Sequence, residues 1–353
     1  MSDEVNDPVL IAFAVGAMLL SAAACFMLFV AWGRGKSLPF APRPLVPWNA
    51  AAGMLAVLLV GITLLSAIEG FGRSGEAPKK STLDSGVQLI AGMGQEVFLV
   101  GGFLALVALY FKASRVDLGL PSNRQEFFGD VVIGLLVGVA ALAPVQIVQI
   151  LALVAAGETE MQSGHPLVKM LTEGGPDVGV LILASFAAVV IAPICEEVTF
   201  RLLLQGWLEK WEANAVGCVS PPPLTEMIVI EPTVPAAPVA NDEARMTNDE
   251  VQIVDGSSVE VARPVIVEPP PTGVAGMPFS WVPIGISSLL FGLAHFGYGP
   301  EPVPLFFLAL ALGYVYNRTH RIVPSIVAHA VFNLFTMVLL WRMVLHGIPS
   351  PPG

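Results

Sequence analysis

The chain has 353 residues, of which 55% are hydrophobic and 13% charged, and its mean hydropathy is +0.74. Soluble domains average about 45–50% apolar and about 25% charged residues, so this composition excludes an ordinary soluble domain and marks an integral membrane protein. The formal charge of -11 argues against nucleic acid as a partner, because phosphate binding needs clustered Lys and Arg.

A membrane-spanning helix needs roughly 20 mostly apolar residues. On that criterion the sequence predicts an all-α, polytopic membrane helix bundle. About eight transmembrane helices are expected, at 8–32, 48–68, 87–111, 130–156, 178–202, 280–297, 302–317 and 322–346. The acidic N-terminus lacks the basic region of a cleavable signal, so the first apolar run reads as a span. In segment three, Gln95 and Glu96 lie mid-helix; in segment four, Gln146 and Gln149 follow Pro144. Structural hydrogen bonds suit the glutamines. A carboxylate in hydrocarbon protonates or finds a partner, which makes Glu96 a candidate for lining a common cavity. Segment five is expected to continue as an amphipathic helix through Trp211, with Trp207 and Trp211 at the membrane interface.

After segment five the composition changes. The stretch 212–278 holds ten acidic residues against Arg245 and Arg263, with Pro-Pro-Pro at 221–223 and at 269–271. Such a segment buries too little apolar surface to offset its ordering entropy. It reads as an acidic, flexible extramembrane insert, or at most a small hairpin. The expected parts are therefore N-terminal helices one to four (1–156), a helical core (157–211 and 279–346) and the insert (212–278).

Basic residues in short loops set orientation. Arg34, Lys36 and Arg43 follow helix one, Lys112, Arg115 and Arg124 follow helix three, Lys210 follows helix five, and Arg318 and Arg321 follow helix seven. These four groups share one side if both termini lie outside and the insert is cytoplasmic, although Arg73, Lys79 and Lys80 compete from another loop. A bacterial cytoplasmic membrane is the expected location. Cys25, Cys195 and Cys218 have no metal or redox spacing. His165, His320 and His346 fall in loops or at helix ends and read as solvated.

Three motifs carry chemistry: Glu196-Glu197-Val198-Thr199-Phe200-Arg201, Phe291-Gly292-Leu293-Ala294-His295 and His329-Ala330-Val331-Phe332-Asn333. Carboxylates, imidazoles and a carboxamide are costly in hydrocarbon and normally face a protein interior or a wet cavity. Glu197 and Arg201, at i and i+4, share a helix face and can pair, as do His329 and Asn333. Glu196 points about 100° away from Glu197, so the two carboxylates can play different parts. A carboxylate with an imidazole can activate a water molecule, and a carboxamide with a second imidazole can stabilise an oxyanion. That set suffices for amide hydrolysis. Ser287 and Ser288 lack a nucleophile-elbow context, and Cys195 points away from Glu196. A zinc site built from Glu196, His295 and His329 is the chemical rival, since two histidines and a glutamate are a catalytic ligand set.

The ordered triple Glu-Glu-x-x-x-Arg, Phe-x-x-x-His, His-x-x-x-Asn on membrane helices resembles the CAAX protease and bacteriocin-processing family of intramembrane endopeptidases. The resemblance covers Val178 to His346 apart from the insert. It implies that Glu196 and His295 activate the water, that His329 and Asn333 stabilise the oxyanion, and that Glu197 and Arg201 support them. It also implies a glutamate-dependent mechanism with no cofactor and a membrane-associated protein or peptide substrate. A non-catalytic immunity or scaffold protein remains the alternative, with the polar groups acting as helix glue. A proton-coupled transporter would predict broken helices in two matching halves, and no such symmetry is visible. One tension remains. Glu196 approaches the end of predicted segment five while His295 lies late in segment six. Convergence requires helix five to run beyond Arg201, or helix six to begin deep.

Overall fold

The computed structural model describes residues 7–35, 38, 45–72, 82–157, 178–215, 281–296 and 300–345, and these contain helices and no strand. The eight helices are α1 (Pro8–Gly33), α2 (Ala50–Gly72), α3 (Thr82–Tyr110), α4 (Arg124–Ala156), α5 (Val178–Ala215), α6 (Trp281–Leu293), α7 (Pro302–Thr319) and α8 (Ile322–Leu345). By length and apolar composition α1, α3, α4, α5 and α8 can cross a membrane. At 13 residues α6 is shorter than a span requires. Of the loop expected at 70–86, residues 73–81 lie outside the described residues, as does most of the expected insert. The first part of that insert, 212–215, is the end of α5.

The centre of the bundle is α7, whose Leu308, Ala309, Leu312 and Tyr316 are completely covered. Around it stand α4, α6 and α8, and α1 packs on α4. The α4–α8 contact depends on Gly134 and Gly138. A Cβ on Gly134 would lie 2.6 Å from Val327 Cβ, and one on Gly138 would lie 2.8 Å from the Ala328 carbonyl oxygen. This Gly-x-x-x-Gly pair lets two backbones approach closely, which is how membrane helices gain packing energy when lipid is as apolar as the protein.

Pro144 interrupts α4 and cannot donate to the Ala140 carbonyl one turn earlier. That carbonyl instead accepts from Ser21 Oγ and Cys25 Sγ of α1, each at 3.0 Å, and Ser21 Oγ accepts from the Ala143 amide at 2.8 Å. Side chains of a neighbouring helix thus satisfy backbone that hydrocarbon could not.

The four basic loops meet at one end. Arg318 donates to the Leu38 carbonyl, Lys210 Nζ donates to the carbonyls of Val46 and Trp48 at 2.9 Å each, and the Ile322 amide donates to the Gly119 carbonyl. Gly119 has φ +64°, and a Cβ there would lie 3.0 Å from the Ile322 nitrogen. Arg321 pairs with the buried Asp130 at 2.6 Å. At the opposite end Arg342 pairs with Asp7, and Trp341 Nε1 donates to Ser185 Oγ at 2.7 Å. Both ends of the described chain therefore lie at one end of the bundle. Trp211 is exposed as expected, but Trp207 is not simply interfacial. Its ring lies on the α2 backbone at Gly53, where a Cβ would come within 2.1 Å of it.

Candidate active site

Helix α5 carries the first motif in its middle. It runs on to Ala215, well past Arg201, and so satisfies the first condition for convergence. Two π-helical stretches, Ala187–Ile191 and Val198–Gln205, bracket the glutamates. A π turn widens the helix and re-aims its side chains, and such turns concentrate at functional sites.

Glu197 is fully buried. Its Oε2 accepts from Arg201 Nε at 3.1 Å, the expected i, i+4 pair, and its Oε1 lies 3.1 Å from His329 Nδ1. Arg201 is also fully buried. Its Nη1 donates to Ser287 Oγ at 3.0 Å, Ser287 donates to the Phe200 carbonyl at 2.8 Å, and the guanidinium lies 5.3 Å from the centre of the Phe291 ring. Ser287 is thus committed to holding Arg201 and is not placed as a nucleophile.

His329 is the imidazole between the two carboxylates. With Nδ1 on Glu197, its Nε2 faces Glu196 Oε2 at 3.7 Å. Glu196 is partly accessible, yet Oε2 itself is covered and has no hydrogen-bond partner among the described residues. His295 lies against the same Phe291 ring as His329. The Phe291 ring centre is 5.0 Å from that of His295 and 5.6 Å from that of His329. Nδ1 of His295 lies 2.9 Å from the Phe291 carbonyl oxygen, to which it can only donate. This leaves Nε2 of the neutral ring as an acceptor. Asn333 Nδ2 donates to the Ala188 carbonyl at 2.8 Å, inside the first π stretch.

Direct contacts therefore join Glu196, Glu197, Arg201 and His329. His295 and His329 both touch the Phe291 ring, and Asn333 reaches α5 at Ala188. Among the described residues no three His, Cys, Asp or Glu side chains stand close enough to share an ion. The rival ligand set Glu196, His295 and His329 is not preformed in this arrangement.

Several partners went unrecognised in the sequence. Ser287 gave no signal of its role beside Arg201, and Phe291, although it heads the second motif, gave none of its contact with both imidazoles. Gln205 and Glu209 had one, because they continue the i+4 row of Glu197 and Arg201. Gln205 donates to Glu209 Oε1 and to the Gly313 carbonyl, both at 3.0 Å, and Asn317 also donates to Glu209. His320, read as solvated, lies 3.8 Å from Glu209 and is only 10% exposed.

Residues 178–225 and 272–335 match the family model described as type II CAAX prenyl endopeptidase Rce1-like. Over these two stretches the chain is Rce1-like. The match falls on the helices that carry all three motifs, agrees with the resemblance drawn from them, and supports a membrane protease. It covers less than half of the chain and leaves out α1 to α4. No curated protein and no solved structure matches.

Proposed function

We propose that this protein is an intramembrane endopeptidase that hydrolyses a peptide bond of a membrane-associated protein or peptide by glutamate-activated water. The observation that carries the reading is His329 held by Glu197 and facing the unpartnered Oε2 of Glu196, within the Rce1-like stretch.

Glu196 Oε2 takes a proton from the water, whose other hydrogen is held by His295 Nε2. The water oxygen adds to the peptide carbonyl carbon, and the carbonyl oxygen becomes an oxyanion. His329, with both ring nitrogens protonated, donates Nδ1–H to Glu197 and Nε2–H to the oxyanion. The second amide hydrogen of Asn333 is the other donor. Donors fixed before reaction stabilise developing charge without reorganisation. Collapse of the tetrahedral intermediate breaks the C–N bond, and the proton on Glu196 passes to the leaving amine. Arg201 and Glu197 hold the imidazole in place and do not touch substrate. Insert 212–278 is assigned to the cytoplasmic side of a bacterial inner membrane on the basis of the basic loops.

The test is cleavage of membrane-protein substrates by purified protein in detergent or proteoliposomes, with new termini read by mass spectrometry. Glu196→Gln and His295→Ala should abolish cleavage while the melting temperature stays near wild type. Wild-type turnover in Glu196→Gln eliminates the mechanism.

A further inference from the structure

Glu96 places an acidic side chain on an otherwise apolar face of α3. Toward the bundle this helix turns Leu89, Met93, Glu96, Val100, Leu104 and Val107. Packing fixes the height of Glu96. Leu89 lies against the cluster containing Leu181 and Ala184, whereas Val100 and Leu104 lie against the cluster containing Val198, Phe200 and Leu202. Helices α3 and α5 therefore run parallel, and Glu96 stands level with Ala192–Glu197, on which α3 also packs.

This carboxylate makes no hydrogen bond or ion pair among the described residues. Arg201 is committed to Glu197 and Ser287. Around the site, Glu96, Glu196 and Glu197 thus face one buried guanidinium and the doubly protonated His329 of the mechanism above, so that acidic groups outnumber basic ones. An excess of one sign in a low-dielectric cleft attracts the opposite charge and selects among partners.

On the endopeptidase reading above, we propose that Glu96 is a specificity residue that receives a Lys or Arg side chain of the peptide substrate, close to the scissile bond. Such side chains are concentrated where membrane segments end at the cytoplasmic interface, so a membrane-associated substrate brings them naturally. Because α3 lies outside the Rce1-like stretch, this selection is a property of the chain's own N-terminal half.

The experiment has two arms on the full-length protein in detergent. In the first, a mixed peptide library is digested and the cut sites are sequenced. Wild type should show Lys or Arg enriched within two positions of the cut, Glu96→Gln should lose the enrichment, and Glu96→Lys should favour acidic residues instead. In the second, fluorescence anisotropy measures binding of two labelled peptides that differ only in Lys or Glu at one position. Glu196→Gln should bind the Lys peptide on the order of tenfold more tightly, and Glu196→Gln/Glu96→Gln should bind both equally. No basic enrichment in wild type, or the same enrichment in Glu96→Gln, overturns the proposal without reference to any variant's folding. If wild type cuts nothing, the endopeptidase reading fails. The binding ratio then decides the role of Glu96 alone, and a ratio near one overturns it.

Discussion

Glu196 and Glu197 are neighbours in sequence with different surroundings. One is fully buried and bonded to Arg201 and His329, while the other keeps an oxygen without a partner. Helix geometry alone separates them, since adjacent side chains diverge by about 100°. At this scale Asn333→Ala should lose roughly 10²–10³ in turnover if the carboxamide is an oxyanion donor, measured as kcat on a cleavable membrane substrate. Ser287→Ala should behave differently. It removes an acceptor from a buried guanidinium, which costs about 1–3 kcal/mol, so the melting temperature should fall together with turnover. Exhaustive chelation should leave activity intact if Glu196 and His295 activate water directly. Activity lost on chelation and restored by zinc alone would reassign Glu196, His295 and His329 as metal ligands.

Helices here are apolar almost all round, so packing choices rest on a few small or polar residues. The α1–α4 contact is written in Ser21, Cys25 and the carbonyl that Pro144 leaves without its usual donor. Ser21→Ala should cost about 1–3 kcal/mol by leaving the Ala143 amide without its acceptor, visible as a lower melting temperature in detergent with no change in the cleavage pattern. Gly138→Leu should be more damaging, because the new side chain meets Ala328 and Val331 directly and overpacking forces backbone shifts. Eight apolar runs could be read from the sequence because hydropathy and length alone define a spanning candidate. The π turns of α5 could not, since they reflect a compromise between its neighbours and not a local propensity. They matter because both flank the glutamates and the first supplies the carbonyl held by Asn333.

Across the whole molecule, basic loops gather at one end and the Asp7–Arg342 pair closes the other. The hydrogen bond from Arg342, foremost, holds the Asp7 carboxyl below its usual value of 3.8. A carboxyl with a depressed folded-state pKa stabilises the native form above the unfolded value, and that contribution disappears as pH falls through the folded value. Asp7→Asn should therefore lower the melting temperature at pH 7, with the difference from wild type shrinking below about pH 4 and vanishing in stronger acid. The sequence by itself determined the membrane character, the helix count, the pairing of Glu197 with Arg201 and the residues worth suspecting, because hydropathy and i, i+4 spacing are local quantities. Only the tertiary structure decided that His329 stands between the glutamates, that Ser287 serves Arg201, that the Phe291 ring meets both imidazoles and that α3, outside the Rce1-like helices, packs beside the glutamates. Those contacts join residues far apart in the chain, and their partners are fixed by which helix faces meet when the bundle packs, a choice that no local spacing encodes.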